Sequence, residues 1–149
     1  MRIMALDMGT KRVGVAVSDE LLLAANGLTV IERKSLKLFV DQIVALTLEH
    51  QVHLVVLGLP RRMDGRLGPE AEKILEMAEE LKKRGLTVDT WDERLSTAAV
   101  ERVLIDADMT RKKRKKVMDK VAATYILQGY LDYLRTRQGA DRPQPISDR

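Results

Sequence analysis

Hydrophobic and β-branched residues at the start of the chain fall into short runs separated by polar breaks. Residues 1–6 and 13–17 are almost entirely apolar, and Gly9-Thr10-Lys11-Arg12 lies between them. Runs of this length, with glycine in the break, are typical of two strands joined by a tight hairpin. A further run at residues 28–31 predicts a third strand directly afterwards.

The middle of the chain alternates between helical and strand patterns. Apolar residues at helical spacing predict a helix over residues 36–48, and the nearly unbroken apolar run 52–58 predicts a strand inside the sheet, covered on both faces. A loop rich in glycine and proline follows at 59–68. Pro69 suits the first position of a helix that Gly85 ends. The fifth strand is predicted immediately after this helix, over residues 86–91.

The last third of the chain predicts two helices and a polar tail. A serine and a threonine at 96–97 can cap a short helix that extends to Ala107. Residues 111–116 break the apolar pattern, and a long helix is predicted from Val117 onwards. Glycine and prolines in the final segment predict a disordered tail over residues 137–149.

Composition and length bound the class of protein. The chain has 149 residues, 45% of them hydrophobic and 3% aromatic, so we expect one domain over residues 1–136 with an aliphatic core. It contains no cysteine, which excludes disulfides and thiolate ligands, and His50 and His53 have no third nitrogen ligand for zinc. No apolar run approaches the roughly 18 residues that span a bilayer, and no signal-peptide pattern is present. We therefore predict a cytoplasmic protein that makes no membrane contact.

Three acidic residues are candidates for a metal site. Asp7 closes the first strand, Glu93 follows the fifth, and Asp119 lies on the last helix in step with apolar positions. Together they could hold two oxygen-ligated Mg²⁺ or Mn²⁺ ions about 4 Å apart, the arrangement used in phosphodiester hydrolysis. The alternatives are a turn cap for Asp7 and an ion pair with a neighbouring lysine for Asp119. The alternative for Glu93 is an exposed charge at the strand end, paired with Arg94. Asp92 also competes for the role of Glu93, because adjacent strand residues point to opposite faces.

The formal net charge of +4 is small, but the cations are concentrated. A run of six directly precedes the helix that carries Asp119. Such a run attracts phosphates with a salt-dependent affinity that is independent of sequence, and the alternative is a solvated charged loop. We predict nucleic-acid contacts at Lys11, Arg12, Arg61, Arg62, Arg94, Arg111, Lys112, Lys113, Arg114, Lys115 and Lys116.

Four motifs follow one another along the chain. They are Asp7-Met8-Gly9-Thr10-Lys11-Arg12-Val13-Gly14-Val15-Ala16-Val17-Ser18-Asp19, then Gly58-Leu59-Pro60 with Met63-Asp64-Gly65, then Asp92-Glu93-Arg94-Leu95-Ser96-Thr97, and finally Asp119 with Ala122-Ala123 and Ile126-Leu127-Gln128. With these motifs the chain resembles the YqgF (RuvX) family of bacterial proteins, which are described as pre-16S rRNA nucleases or as Holliday-junction resolvase-like proteins.

The resemblance implies an α/β fold of the RNase H-like class, with a mixed five-stranded sheet, three antiparallel strands first, flanked by helices. It also implies that Asp7, Glu93 and Asp119 are catalytic residues that hold Mg²⁺ or Mn²⁺, with Glu93 rather than Asp92 at the strand end. The implied function is metal-dependent cleavage in the 5′-end maturation of pre-16S rRNA. Ribosomal particles are implied as further partners of a monomer or a homodimer, and Holliday-junction resolution is a rival within the same chemistry.

Two other classes of protein stay open. The Asp7-Met8-Gly9-Thr10 hairpin also resembles the first phosphate loop of the actin, Hsp70 and sugar-kinase ATPases, but that architecture needs two lobes and this length supplies one. The stronger rival is a non-catalytic nucleic-acid-binding or ribosome-assembly factor on the same fold. Such a factor would tolerate Asp7→Asn, whereas a nuclease would lose cleavage and keep its affinity for nucleic acid.

Overall fold

Five strands and three helices make up the part of the chain that the computed structural model describes, namely residues 1–9, 11–59, 68–92 and 111–139. For 111–120 and 137–139 it describes the helical backbone alone. The elements are β1 (Arg2–Met8), β2 (Arg12–Ser18), β3 (Ala25–Glu32), α1 (Leu36–Glu49), β4 (Val52–Leu59), α2 (Pro69–Lys83), β5 (Val88–Asp92) and α3 (Arg111–Gly139).

The strands form a single mixed sheet in the order β3-β2-β1-β4-β5. β2 pairs antiparallel with both β1 and β3, whereas β4 pairs parallel with both β1 and β5. The predicted sheet, with three antiparallel strands first and β4 in the interior, is therefore confirmed.

The two faces of the sheet bury different residues, because successive side chains of a strand point to opposite sides. Met4 and Leu6 of β1 pack with α1 and α2 in an aliphatic core, on what we call the α1/α2 face. Ile3 and Ala5 pack against the last helix, on what we call the α3 face. Because helices cover both faces, β1 and β4 are nearly continuous apolar sequences.

The two shorter helices begin and end where local sequence signals predict. The Oγ of Ser35 accepts a hydrogen bond from the backbone N–H of Leu38 at 3.1 Å, which caps the start of α1. Pro69 occupies the first turn of α2. After α2 the chain turns at Gly85, whose φ of +90° is a conformation that favours glycine.

The last helix differs from its prediction at its start. α3 begins at Arg111 rather than at Val117, because lysine and arginine are good helix formers and a cationic run need not interrupt a helix. It continues to Gly139, and the domain boundary at 136 stays a prediction. The short helix predicted before residue 107 and residues 140–149 of the predicted tail lie outside the described residues, so both stay predictions.

Polar contacts and burial together dock α3 on the sheet. The side-chain amide of Gln128 accepts a hydrogen bond from the N–H of Ala25 at 3.1 Å and donates one to the carbonyl of Leu23 at 3.3 Å. The buried side of the helix is formed by Ala123, Ile126, Leu127, Tyr130 and Leu131. No helix within the described ranges is long and apolar enough to cross a bilayer.

Candidate active site

Asp7 lies near the C-terminal end of β1, on the α3 face of the sheet. It continues the alternation of Ile3 and Ala5, which both pack against α3, and it is partly buried. On one side it pairs with Gly14 of β2. On the other, the pairing of Leu6 with Leu57 makes Gly58 the next position of β4. The positions directly beside Asp7 in the two neighbouring strands are therefore both glycines.

The turn after Asp7 is held by backbone contacts. The N–H of Gly9 donates to the carbonyl of Arg12 at 2.9 Å, and a Cβ at Gly9 would lie only 2.6 Å from that oxygen. The Nη1 of Arg33 donates to the Gly9 carbonyl at 2.9 Å. Lys11 is exposed in the same turn and Arg12 begins β2. These two predicted phosphate contacts thus lie at the same end of the strands as Asp7.

The odd-numbered residues of β5 belong to the α3 face. Asp89 accepts a hydrogen bond from a tyrosine of α3, and Trp91 packs in the α3 core. Val88 packs on the α1/α2 face, and Asp92, the last residue of β5, lies on the same face because it is four positions further along the strand. Glu93 comes next and lies outside the described residues.

The backbone of α3 carries Asp119 past the same face. α3 packs against β1, β2 and β3, and Ala122, Ala123 and Ile126 are buried in it. Asp119 precedes these residues by three, four and seven positions, the intervals at which helix residues share a side. The helical position of Asp119 is described, and its side chain is not.

An aromatic cluster that the sequence analysis missed joins β5 to α3. Trp91 contacts Tyr130 and Tyr133 with ring centroids 5.7 and 5.3 Å apart, respectively. The Tyr130 hydroxyl donates to the Asp89 Oδ2 at 2.9 Å. A Cβ at Gly129 would lie 3.3 Å from the Trp91 Nε1, so glycine permits this close approach. The cluster connects the strand that precedes Glu93 to the helix that carries Asp119.

The remaining predicted contacts are placed only in part. Arg111–Lys116 form the first turns of α3, with side chains that are not described, whereas Arg61, Arg62 and Arg94 lie outside the described residues. Among the side chains that are described, no three acidic or histidine residues form a metal-binding group. Glu93 and the carboxylate of Asp119 are not in that set, so the predicted triad stays a prediction.

The sheet order, the acidic end of β1 and the helix across the same face define an RNase H-like fold of the resolvase type. The fowlpox virus resolvase, solved with its substrate Holliday junction DNA, matches with a TM-score of 0.56 and 14% identity, over 90% of this chain and 99% of its own. RuvC of Thermus thermophilus, in complex with a Holliday junction substrate, matches with a TM-score of 0.51 and 15% identity, over 91% and 96% of the two chains.

The chain belongs to the RuvX family, because the model of that family, described as "Holliday junction resolvase", matches residues 1–133. A relative from Clostridium botulinum is 47% identical over 135 residues, which cover 90% of this chain and 98% of its own. Another from Desulfitobacterium hafniense is 48% identical over 143 residues, covering 95% and 99%. Both are named "Putative pre-16S rRNA nuclease". These findings confirm the prediction of a nucleic-acid-binding enzyme that hydrolyses phosphodiester bonds.

Proposed function

We propose that the chain is a divalent-metal-dependent nuclease that matures the 5′ end of pre-16S rRNA in the cytoplasm. The position of Asp7 carries the proposal: a partly buried carboxylate at a strand end, between two glycine positions, on the face that α3 covers. Such a carboxylate is a suitable ligand for a hard cation. The names of the relatives support ribosomal RNA as the substrate.

The proposed metal ligands and catalytic residues are Asp7, Glu93 and Asp119. The alternation of β5 favours Glu93 over Asp92, since a strand that continued by one residue would direct position 93 to the face of Trp91. The helical spacing of Asp119 from buried positions supports its inward orientation. A donor set of carboxylates without sulfur fits Mg²⁺ or Mn²⁺.

The chain's own residues would bind and orient the RNA around this site. A bound divalent cation would supply an activated water and neutralise charge on the phosphate. Hydrogen-bonded strands flank β1 on both sides, so Asp7 is held on a rigid scaffold rather than on a loop. The RNA backbone would be contacted by Lys11 and Arg12, which lie at the same end of the strands as Asp7, and by Arg111–Lys116. These contacts would make binding salt-dependent.

Cleavage of end-labelled nucleic acids tests this proposal. The substrates are a precursor fragment spanning the 5′ end of 16S rRNA, single-stranded DNA and a four-way DNA junction, each with Mg²⁺, Mn²⁺ or a chelator. We expect metal-dependent cutting of the RNA, lost in Asp7→Asn while RNA binding is kept. Asp41→Asn, the same chemical change on α1 at the opposite side of the sheet, is the matched control and should cut normally. Full activity in Asp7→Asn would overturn the assignment.

Junction resolution is the second candidate, because the family description names it and both solved relatives with the same fold act on junction DNA. Preferential, paired cutting of the four-way junction would favour it over RNA processing. Salt-sensitive RNA binding without any cutting would instead favour an assembly factor that acts with ribosomal particles. Sedimentation of the free protein distinguishes a monomer from a homodimer, which are both open.

A further inference from the structure

A cleft of about 620 Å³ lies on the α1/α2 face, at the same end of β1 as Asp7. Met8 and Gly9, the two residues after Asp7, line it. Adjacent strand residues point to opposite faces, so Asp7 faces α3 while Met8 faces the cleft. The candidate active site and the cleft therefore lie on opposite faces of the sheet, at the same end of the central strand β1.

The floor of the cleft is apolar. Besides Met8, it includes Phe39 of α1 and Ile74 and Met77 of α2, all three nearly fully buried in the aliphatic core. The apolar surface open to a ligand comes from Met8, which is partly buried, and from Leu36, which is 50% exposed. The polarisable thioether of Met8 and the aliphatic side chain of Leu36 are suited to contact the flat face of a nucleobase. The volume falls within the range of pockets that hold small organic ligands.

The rim of the cleft is cationic. Arg33, Lys34 and Lys73 line it together with one carboxylate, that of Glu70. The guanidinium of Arg33 is held in place by the Gly9 carbonyl. Lys34 and Lys73 are exposed, and neither forms an ion pair with an acidic side chain of the described residues. The excess positive charge of the rim suits a phosphate group, and the apolar floor suits a nucleobase.

We propose that this cleft binds an unpaired nucleotide of the RNA next to the position that is cut. The base would lie on the apolar floor and its phosphate near Lys34 and Lys73, with the RNA strand passing over the end of β1 at the Gly9 turn. The identification of the strand as substrate rests on the proposed function. Since a base in the cleft cannot be paired, the protein should bind single-stranded RNA more tightly than duplex RNA.

Charge reversal at the rim tests the proposal. We would measure binding of a labelled single-stranded RNA by fluorescence anisotropy, without divalent metal, over a series of salt concentrations. Lys34→Glu and Lys73→Glu should each weaken binding by about three- to tenfold at low salt and reduce the slope of log affinity against log salt by about 0.7. Duplex RNA should show less than half of this effect.

Lys83→Glu is the matched control. It makes the same change in net charge on the same helix, ten positions from Lys73 and hence about 15 Å along α2. Lys83 is exposed and does not line the cleft. We expect its effect on binding to stay within twofold. Equal losses for Lys73→Glu and Lys83→Glu, or equal losses for single-stranded and duplex RNA, would overturn the proposal.

A photocrosslink gives a second, independent readout. Single-stranded RNA that contains 4-thiouridine should crosslink to peptides containing Met8 or Leu36, as mapped by mass spectrometry. Crosslinks confined to other segments would contradict the cleft. The binding results and the cleavage assay test different proposals. If Asp7→Asn still cleaved RNA, the catalytic role of Asp7 would be overturned, but the proposal that the cleft binds a nucleotide would not be affected. Conversely, unaffected binding by the rim variants would overturn the cleft alone.

Discussion

The two faces of the sheet are both buried, but they are held together in different ways. On the α1/α2 face, aliphatic side chains such as Leu57 form the core, and the ion pair of Arg84 with Asp41 lies at its surface. On the α3 face, the Tyr130 hydroxyl bonds to Asp89 and the Gln128 amide bonds to the backbone of the β2–β3 turn. Apolar packing is non-directional, whereas hydrogen bonds fix orientation.

This difference separates stability from positioning. The α1/α2 face supplies most of the large aliphatic core, and the α3 face carries Asp7 and orients the elements next to Glu93 and Asp119. Changes on the first face should therefore reduce the free energy of unfolding, whereas changes on the second should reduce the rate of cleavage by the folded protein.

The largest expected effect on stability is at Leu57. Its side chain is 0% exposed on the α1/α2 face, so Leu57→Ala should reduce the free energy of unfolding by about 2–5 kcal/mol. Leu48→Ala, at a side chain 76% exposed on α1, is the control and should change it by less than about 0.5 kcal/mol. Urea denaturation measures both. A comparable loss of free energy of unfolding in the two variants would contradict the assignment of Leu57 to the core.

A smaller effect on stability, with a larger effect on activity, is expected for Tyr130→Phe. The change keeps the ring in the aromatic cluster and removes the hydroxyl that donates a hydrogen bond to Asp89. It should reduce the free energy of unfolding by about 1 kcal/mol. Because this contact orients β5 against α3, single-turnover cleavage at saturating metal should slow while RNA affinity is unchanged. Tyr125→Phe, at an exposed position of the same helix, is the control. If cleavage slowed only in proportion to the unfolded fraction, Tyr130 would have a purely structural role.

The smallest expected effect concerns pH and the surface pair between α1 and the end of α2. The hydrogen bond from Arg84, at 2.7 Å, holds the pKa of the Asp41 carboxyl below its usual range, and Lys37 lowers it further. A lowered folded-state pKa adds stability above the unfolded-state value, about 3.9, and that stability is lost as the pH falls through the folded-state pKa. Asp41→Asn should thus lower the melting temperature slightly at pH 7. In thermal melts the difference should disappear under strongly acidic conditions, and a difference that grew as the pH fell would contradict this sign.

Much of the fold could be predicted because its signals are local. Gly9 marks the hairpin, Pro69 and Gly85 mark the ends of α2, and an apolar run marks β4. β3 is longer than predicted, since its pairing with β2 uses backbone hydrogen bonds that extend over Ala25, Asn26 and Gly27, outside the apolar run. The start of α3 was predicted wrongly because apolar periodicity does not register the helix propensity of lysine and arginine.

The candidate site could be predicted only as far as single residues reveal it. The position of Asp7 at a strand end follows from local pattern, and the structure confirms that position. The bond between Tyr130 and Asp89 joins residues 41 positions apart, and the cleft combines Met8 with Met77. Such contacts depend on how the elements pack, and no local pattern in the sequence reports them.

The most direct test of the account is a calorimetric titration of Mn²⁺ into the wild-type protein, Asp7→Asn and Asp41→Asn. If Asp7 is a metal ligand, the wild-type protein and Asp41→Asn should bind Mn²⁺ saturably with the same affinity, and Asp7→Asn should bind at least about tenfold more weakly. Equal Mn²⁺ affinity in all three proteins would contradict the proposed metal site.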